Sequence, residues 1–571
     1  MTHAPAGAEK SINFVTERSK NRNYGVYYYE GEYMKKLIFI LMTIFFVFAI
    51  TGCPPDDDEE KDDPKVYPTR KFWAQTMGIN PPQYYLVDAE QLAENSRCII
   101  WAEKGSGVTE ATATNMANAY NTVYTKMMKY FGWETIDPDL GKVDVMQVAH
   151  WIATGTTSNA KLTILLLNIK DNYDGVKNIS YFGGYFASMN LIKNDPKHPQ
   201  LKYSNELDMI YVDTYPSVPG DPQSCATLAH EMQHLMNYVS SVAFRFDGEN
   251  LNFMNTWIDE GLANAAEWVY LGTHPEGRWK YYIQDKSGLI KKGNNFFIWG
   301  NRDSESNYAN LDDYATVYLF FQWLRLQSSD PDNMYSNIIL SEFSDFHAVT
   351  EAAGGIDETG SRNSKKGIDA IYYDNWPLLL RDWFAANYTN SPTSRYGYKN
   401  EKDLNTVKAP MFPGGTTSVT LYPGEGVYSQ IQIAETLPSA SGNIKYAGLG
   451  SRSSSTIPDD TKGFANSARL TYNIDTDIIK SSSANGSTTG VAPPSADISI
   501  SSGNASLQIG SGEFSGPYMV DASFSFWEKE TGSISDNGTR GVLSINNGEN
   551  DGKTNILKID RSKIRRVVIN E

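Results

Sequence analysis

The sequence has little cysteine, little histidine and no excess of positive charge. Cysteine occurs three times and histidine seven times in 571 residues, which excludes a disulfide-dense scaffold and makes a close pair of histidines informative. Acidic residues outnumber basic ones, 67 against 50, for a net charge of -17, so a nucleic-acid role has no electrostatic support. No apolar run reaches the roughly 20 residues that a membrane-spanning helix needs. No clear internal repeat emerges, which argues against a solenoid or propeller. What is present, 40% hydrophobic and 12% aromatic residues, fits globular folds, and the length suits two to four domains.

The apolar run from Leu37 to Ile50 lies within M-K-K-L-I-F-I-L-M-T-I-F-F-V-F-A-I-T-G-C, Met34 to Cys53. Two lysines, a short apolar core and small residues before a cysteine read as a signal peptide. Ile-Thr-Gly-Cys resembles the bacterial lipobox. That resemblance implies a lipidated Cys53, a signal peptide over 34–52 and a true start at Met34, with residues 1–33 an over-called upstream extension. The acidic stretch P-P-D-D-D-E-E-K-D-D-P-K, Pro54 to Lys65, repels itself, so 53–65 is expected to be an extended tether. The implied location is the bacterial cell envelope, periplasmic or at the cell surface, with Cys53 as the membrane anchor. Cys98 and Cys225 remain, either as a disulfide or as two buried free thiols.

Three composition zones follow. Residues 66–221 read as a mixed α/β lobe, with helical spacing over Thr109–Phe131, buried strands at Leu162–Ile169 and Asp208–Asp213, and the paired glycines Gly183 and Gly184 in Y-F-G-G-Y-F. Residues 222–404 turn helical; Tyr314–Leu326 is apolar nearly all round and predicts a buried helix, and Asp374–Tyr388 predicts another. Residues 405–571 are richer in Ser, Gly and Thr, with strand candidates at Ser418–Leu421, Ala468–Ile474, Asp497–Ile500, Val520–Phe526 and Ile556–Ile569, and low complexity over Ser481–Ala496. Short strands between turn signals predict an all-β, sandwich-like region. The fold class expected for the whole is α+β.

The stretch T-L-A-H-E-M-Q-H-L-M-N-Y, Thr227 to Tyr238, puts two histidines four residues apart. On a helix, positions i and i+4 share a face, so His230 and His234 can grip one ion. At about 100° per residue, Leu228, Met232, Leu235 and Val239 cluster on the opposite side. Glu231 is placed to hold a water near the ion and take its proton. The five-residue pattern arises by chance in on the order of one or two chains per hundred of this composition. The lone histidines His150, His198, His274 and His347 read as structural. A catalytic zinc needs a third protein ligand and an open position. T-W-I-D-E-G-L-A-N-A-A-E-W, Thr256 to Trp268, offers one. Thr256 and Asp259 resemble a capping box, Glu260 falls in the first turn, and Asn264 stands one turn on, within reach of a ligand histidine.

His-Glu-x-x-His followed by a W-x-(N/D)-E-G-x-A helix resembles the gluzincin zinc metallopeptidases. The order Y-F-G-G-Y-F, S-N-E-L-D-M-I-Y-V-D-T, T-L-A-H-E-M-Q-H, W-I-D-E-G-L-A, from Tyr181 to Ala263, resembles the bacterial hyicolysin-type peptidases more closely still. The resemblance implies a zincin-like fold over about 90–390, Zn2+ bound by His230, His234 and Glu260, and Glu231 as catalytic base. In D-D-Y-A-T-V-Y-L-F-F, Asp312 to Phe321, it implies an oxyanion-stabilising Tyr314, with Tyr318 the next choice and a core tyrosine the plain alternative. It also implies that a peptide lies along the strand preceding the active helix, an edge that Gly183 and Gly184 suit. Two departures stand out. The stretch between His234 and Glu260 is long, implying an inserted loop through F-D-G-E-N-L-N-F. Asp259 also replaces the usual Asn, which makes it a rival third ligand, with Glu267 a weaker rival.

The function expected is a lipid-anchored, extracytoplasmic zinc endopeptidase acting on protein or peptide substrates. The rival is a surface adhesin or binding lipoprotein with an inactive zincin core, whose late β region binds protein or carbohydrate.

Overall fold

In a computed structural model of the chain, the described residues are 65–412 apart from 79–80, 139, 178–179, 246–251, 294–295, 298–308 and 356–365, together with 421, 424–430, 444–449, 468–473 and 563–567. The backbone strands 11–15, 496–501, 504–509, 522–526, 542–550 and 553–560 are described as well. Cys53, the signal peptide, the acidic tether up to residue 64 and most of 1–33 lie outside them. So do 246–251 of the expected inserted loop, the strand expected at 418–420 and the low-complexity stretch up to 495. The chain divides into two compact units, and of the second, Thr16–Pro68, only 65–68 are described.

The first unit opens with β1 (Ser11–Val15), β2 (Thr69–Gln75), β3 (Tyr84–Glu94) and β4 (Cys98–Glu103). Helix α1 (Glu110–Phe131) follows, capped where the Thr109 side chain accepts the Thr112 backbone N–H. Next come β5 (Trp133–Asp137), β6 (Gly141–Asp144), α2 (Val145–Thr154), β7 (Leu162–Leu167), β8 (Ser180–Phe186) and β9 (Met209–Asp213). Seven of these strands form one sheet in the order β1-β8-β9-β7-β4-β3-β2. Its centre, β4-β7-β9, is parallel, and the flanking pairs are antiparallel. A parallel centre is covered on both faces, so it has no polar alternation. Accordingly L-T-I-L-L-L of β7 and M-I-Y-V-D of β9 are buried at every position.

The helical half begins with α3 (Pro222–Phe244), started by Pro222 in the first turn and by Asp221, whose carboxylate accepts the Ser224 N–H at 2.6 Å. Then come α4 (Thr256–Leu271), α5 (Glu276–Gln284), α6 (Ala309–Gln327), α7 (Met334–Ile339), α8 (Phe346–Gly354) and α9 (Trp376–Thr389). Helix α3 packs on β8, β9 and α1 and most extensively on α4, which in turn packs on α6. Every residue of α3 from Ser224 to Phe244 is buried. The helix is therefore covered on the histidine side as well as on the apolar side, because α4 packs along it in addition to the sheet. The buried helix expected over Tyr314–Leu326 is α6.

Late in the chain, Gly426–Gln430, Ala468–Asn473 and Ile444–Leu449 form a three-stranded antiparallel sheet. Tyr428 donates its hydroxyl to the Phe384 carbonyl of α9 at 2.6 Å. Ala496–Ser501, Asn504–Ile509, Ala522–Phe526, Val542–Asn550 and Lys553–Asp560 form a five-stranded antiparallel sheet. The stretch expected as one strand over Ile556–Ile569 is divided, and its second piece, Arg565–Arg566, pairs with β5. Cys98 and Cys225 are both buried free thiols, which removes the disulfide alternative. Burial pushes the Cys98 thiol up to about 12, so it behaves as a small hydrophobic residue.

Two glycines set the approach of the site-bearing helices. A Cβ on Gly184 of β8 would lie 2.8 Å from the Thr227 methyl and 3.5 Å from the Glu231 side chain, so β8 rides directly on α3. A Cβ on Gly261 of α4 would overlap the Phe321 ring of α6. Helix propensity alone favours Ala over Gly by about 1 kcal/mol, whereas overpacking a core costs about 1–3 kcal/mol. Gly261→Ala is therefore expected to lower the melting temperature in a thermal unfolding scan; an unchanged or raised value would show that Phe321 yields freely.

Candidate metal centre

Helices α3 and α4 contribute everything that converges here. His230 and His234, one turn apart on α3, have ring centroids 4.8 Å apart, and both are fully buried. From α4, Glu260 Oε2 lies 3.4 Å from His230 Nε2 and 3.6 Å from His234 Nε2. One ligand atom from each of the three residues lies within 4.8 Å of the others. Neither Nε2, nor Glu260 Oε2, nor either oxygen of Glu231 has a hydrogen-bond partner. Buried polar atoms are normally satisfied, so five such atoms at one place describe a cradle for something else. Two imidazoles and one carboxylate are a donor set that suits zinc with a position left open.

The far side of each imidazole is fixed. His230 Nδ1 is 3.0 Å from Glu267 Oε1, and His234 Nδ1 is 3.0 Å from Asp259 Oδ2. Asp259 also accepts from Asn237 Nδ2 at 2.5 Å, and Glu267 accepts from Arg278 Nη2 of α5 at 2.7 Å. Glu260 and Glu267 are seven residues apart and share a face of α4, while Asp259 is turned toward His234. The two carboxylates weighed as rival ligands thus sit behind the histidines. The capping-box expectation is corrected: Asn255 is the N-cap of α4, it makes no side-chain capping bond, and Asp259 is committed to His234. Asn264 holds no histidine; its Nδ2 donates to the Glu260 carbonyl at 2.6 Å.

Four buried carboxylates, Glu231, Asp259, Glu260 and Glu267, gather here, and the buried guanidinium of Arg278 pairs with Glu267. Burial would lower the His230 pKa, but the carboxylates of Glu260 and Glu267 outweigh it and raise it to about 9. For His234 burial wins over Asp259 and Glu260, and its pKa falls. Burial raises Glu231 well above the usual carboxylate range; His230 opposes this and Glu260 adds to it. Burial would raise Glu267 too, but Arg278 and His230 reverse the sign. The surplus of buried negative charge suits a divalent cation.

Tyr314 is buried, with the Arg278 guanidinium 5.0 Å from its ring centroid. Burial, then the nearby Glu260, holds its hydroxyl protonated. Tyr318, one turn on, faces elsewhere: its hydroxyl is 2.5 Å from His274 Nδ1. The other single histidines also have local partners, His150 with Asp208 at 2.8 Å and His347 with Asp345 at 2.8 Å. His198 Nδ1 accepts the Gln200 and Leu201 N–H groups. The role of Arg278 left no trace in the sequence, because it depends on α5 packing on α6, which brings the guanidinium to Glu267.

No family model matches the chain. Over 235 residues it is 30% identical to the neutral metalloprotease ShpI of Staphylococcus hyicus, a match that takes in 40% of this chain and 48% of that protein. The chain thus spans about half the length of this curated relative. Among solved structures, yeast LTA4 hydrolase in complex with bestatin matches 61% of this chain and 45% of its own, at a TM-score of 0.26 and 11% identity. The chain is therefore similar in sequence, over two fifths of its length, to part of a neutral metalloprotease.

Proposed function

We propose that the protein is a zinc-dependent peptidase whose ion is held by His230, His234 and Glu260. The observation that carries this reading is the convergence of three buried, unpartnered ligand atoms beside a fourth residue, Glu231, whose carboxylate has no partner either. The sequence similarity to a neutral metalloprotease supports it. When bound, zinc supplies Lewis acidity toward a peptide carbonyl and makes water a nucleophile near neutral pH.

The chain's own groups do the rest. Glu231 is one residue from the first ligand, and its unpartnered carboxylate is placed to take a proton from water and pass it to the departing amine. Tyr314, kept neutral, can donate its hydroxyl to the oxyanion that develops on the carbonyl. Asp259 and Glu267 accept the Nδ1 protons of the two histidines, which leaves both Nε2 lone pairs directed at one point. Strand β8 is one on which extended chain lies, since β1 pairs with its outer side antiparallel, Asn13 against Phe182 and Phe14 against Tyr181, and a substrate would take the place that β1 holds. Backbone pairing at such an edge reads no terminus and tolerates many side chains, which is the basis for reading the activity as endopeptidase action. Lipid anchoring at Cys53 and placement in the bacterial envelope belong to the same proposal and rest on the lipobox-like I-T-G-C alone.

Two experiments test the reading. Glu231→Gln is expected to retain one zinc per chain by elemental analysis while turnover of a casein or peptide substrate falls by about 10²–10⁴-fold; undiminished turnover would remove the mechanism. Asp259→Ala and Glu267→Ala are each expected to weaken zinc about 10–100-fold in competition with a chelator, whereas Asn264→Ala leaves the affinity unchanged. Equal affinities across all three would mean that the far-side carboxylates do not orient the ligands.

A further inference from the structure

Another buried carboxylate stands apart from the metal centre, with no cation among the described residues that act on its charge. Asp312, in the first turn of α6, is 0% exposed, and neither of its oxygens has a hydrogen-bond partner. Its neighbours are the Ser287 hydroxyl and the Asp285 carboxylate. Both belong to the turn that leaves α5, where Asp285 is the C-cap. Asp285 is itself nearly buried. It accepts the Ile290 N–H at 3.0 Å and the Lys291 N–H at 3.3 Å, and Lys291 Nζ stands 3.7 Å from Oδ2. Those bonds use one lone pair on each Asp285 oxygen and leave the others. An unpaired carboxylate is among the costliest groups to bury, and here a like charge lies next to it. Burial pushes the Asp312 pKa up to about 7; the Ser287 hydroxyl opposes this and the Asp285 charge adds to it.

We propose that Asp312, Asp285 and Ser287 form a second cation site, built of oxygen ligands alone and taking calcium, that ties the end of α5 to the start of α6. Hard divalent cations prefer carboxylate and hydroxyl oxygens, and calcium accepts six to eight of them in irregular geometry, completing its shell with water and backbone carbonyls. The helix dipoles agree with such a bridge. The C-terminal end of α5 favours a cation, and the N-terminal turn of α6 favours the Asp312 anion. The ion would explain why neither oxygen of a fully buried carboxylate makes a well-formed hydrogen bond. It would also brace two helices that reach the zinc centre, since α5 carries Arg278 and α6 carries Tyr314.

The test uses the full, zinc-loaded chain and does not depend on peptidase activity. Equilibrium dialysis with radioactive calcium is expected to find one calcium per chain, and millimolar calcium chloride to raise the melting temperature by at least about 3 °C. Asp312→Asn keeps the shape and removes the charge; it is expected to abolish both effects and to melt no lower than the wild type without calcium. Should that variant fail to fold, Ser287→Ala removes a ligand oxygen without altering charge, and is expected to weaken calcium about tenfold or more. No bound calcium in the wild type, or undiminished binding in both variants, overturns the proposal. So does an Asp312→Asn protein that folds and still responds to calcium. A protonated Asp312 buried as a neutral acid would give the first of these results.

Discussion

The structure around the candidate centre depends on two hydrogen bonds between imidazole Nδ1 atoms and buried carboxylates, His230 to Glu267 and His234 to Asp259. A neutral histidine carries one proton and one lone pair, and the partner of one nitrogen decides what the other can do. With Nδ1 donating to a carboxylate, Nε2 becomes a lone pair aimed away from it. Both lone pairs then point at Glu260, which lies 3.4 and 3.6 Å away. Without the two far-side carboxylates, each ring could turn over or carry its proton on the wrong atom. The i, i+4 spacing would then bring two rings together with no common purpose.

Those bonds in turn demand close helices. Asp259, Glu260 and Glu267 all come from α4, so one helix supplies both the third ligand atom and the supports for the first two. That works only if α4 presses against α3 along its length, which the small residues of G-L-A-N-A-A allow. Gly261 lets α6 close from behind through Phe321, and Gly184 lets β8 close from the other side onto Thr227 and Glu231. The consequence is a buried site: His230, Glu231, His234, Asp259 and Glu267 are all fully buried. Low polarity strengthens each charge interaction and also makes an unmatched charge expensive. The four carboxylates therefore require compensation, and Arg278, paired with Glu267 at 2.7 Å, provides part of it.

Much of this was legible in the sequence, and the rest was not, for specific reasons. The buried run L-T-I-L-L-L and the apolar segment that became α6 announce themselves because burial on every side leaves no polar alternation. The pair His230 and His234 is a local pattern, and so is the D-E-G motif that contains Glu260. Asp259 misled because its position, third after Thr256, fits a helix cap. Its actual partner is His234, 25 residues upstream, and nothing local signals a contact of that range. Asn264 misled for the opposite reason, since its partner is the carbonyl one turn back in its own helix. The seven-residue spacing of Glu260 and Glu267 was available as a signal that both share one face. Arg278 and Asp312 carried none, because their significance arises only when α5 and α6 pack side by side.

That packing joins the two clusters of buried acid into one argument. Arg278 leaves α5 to reach Glu267, and its guanidinium lies 5.0 Å from the centre of the Tyr314 ring on α6. Two residues before Tyr314, on the same helix, is Asp312; seven residues after Arg278, beyond the end of its helix, is Asp285. The contact between α5 and α6 is thus bounded at one end by charges that balance and at the other by charges that do not. A guanidinium can satisfy Glu267 because it brings several donors in a fixed plane. Lys291, about one-third exposed and 3.7 Å from Asp285, offers a single hydrated charge to one carboxylate and none to Asp312. Tyr314 thus shares the first turns of α6 with Asp312, a fully buried carboxylate neither of whose oxygens makes a well-formed hydrogen bond, so the burial of one is energetically tied to how the charge of the other is met.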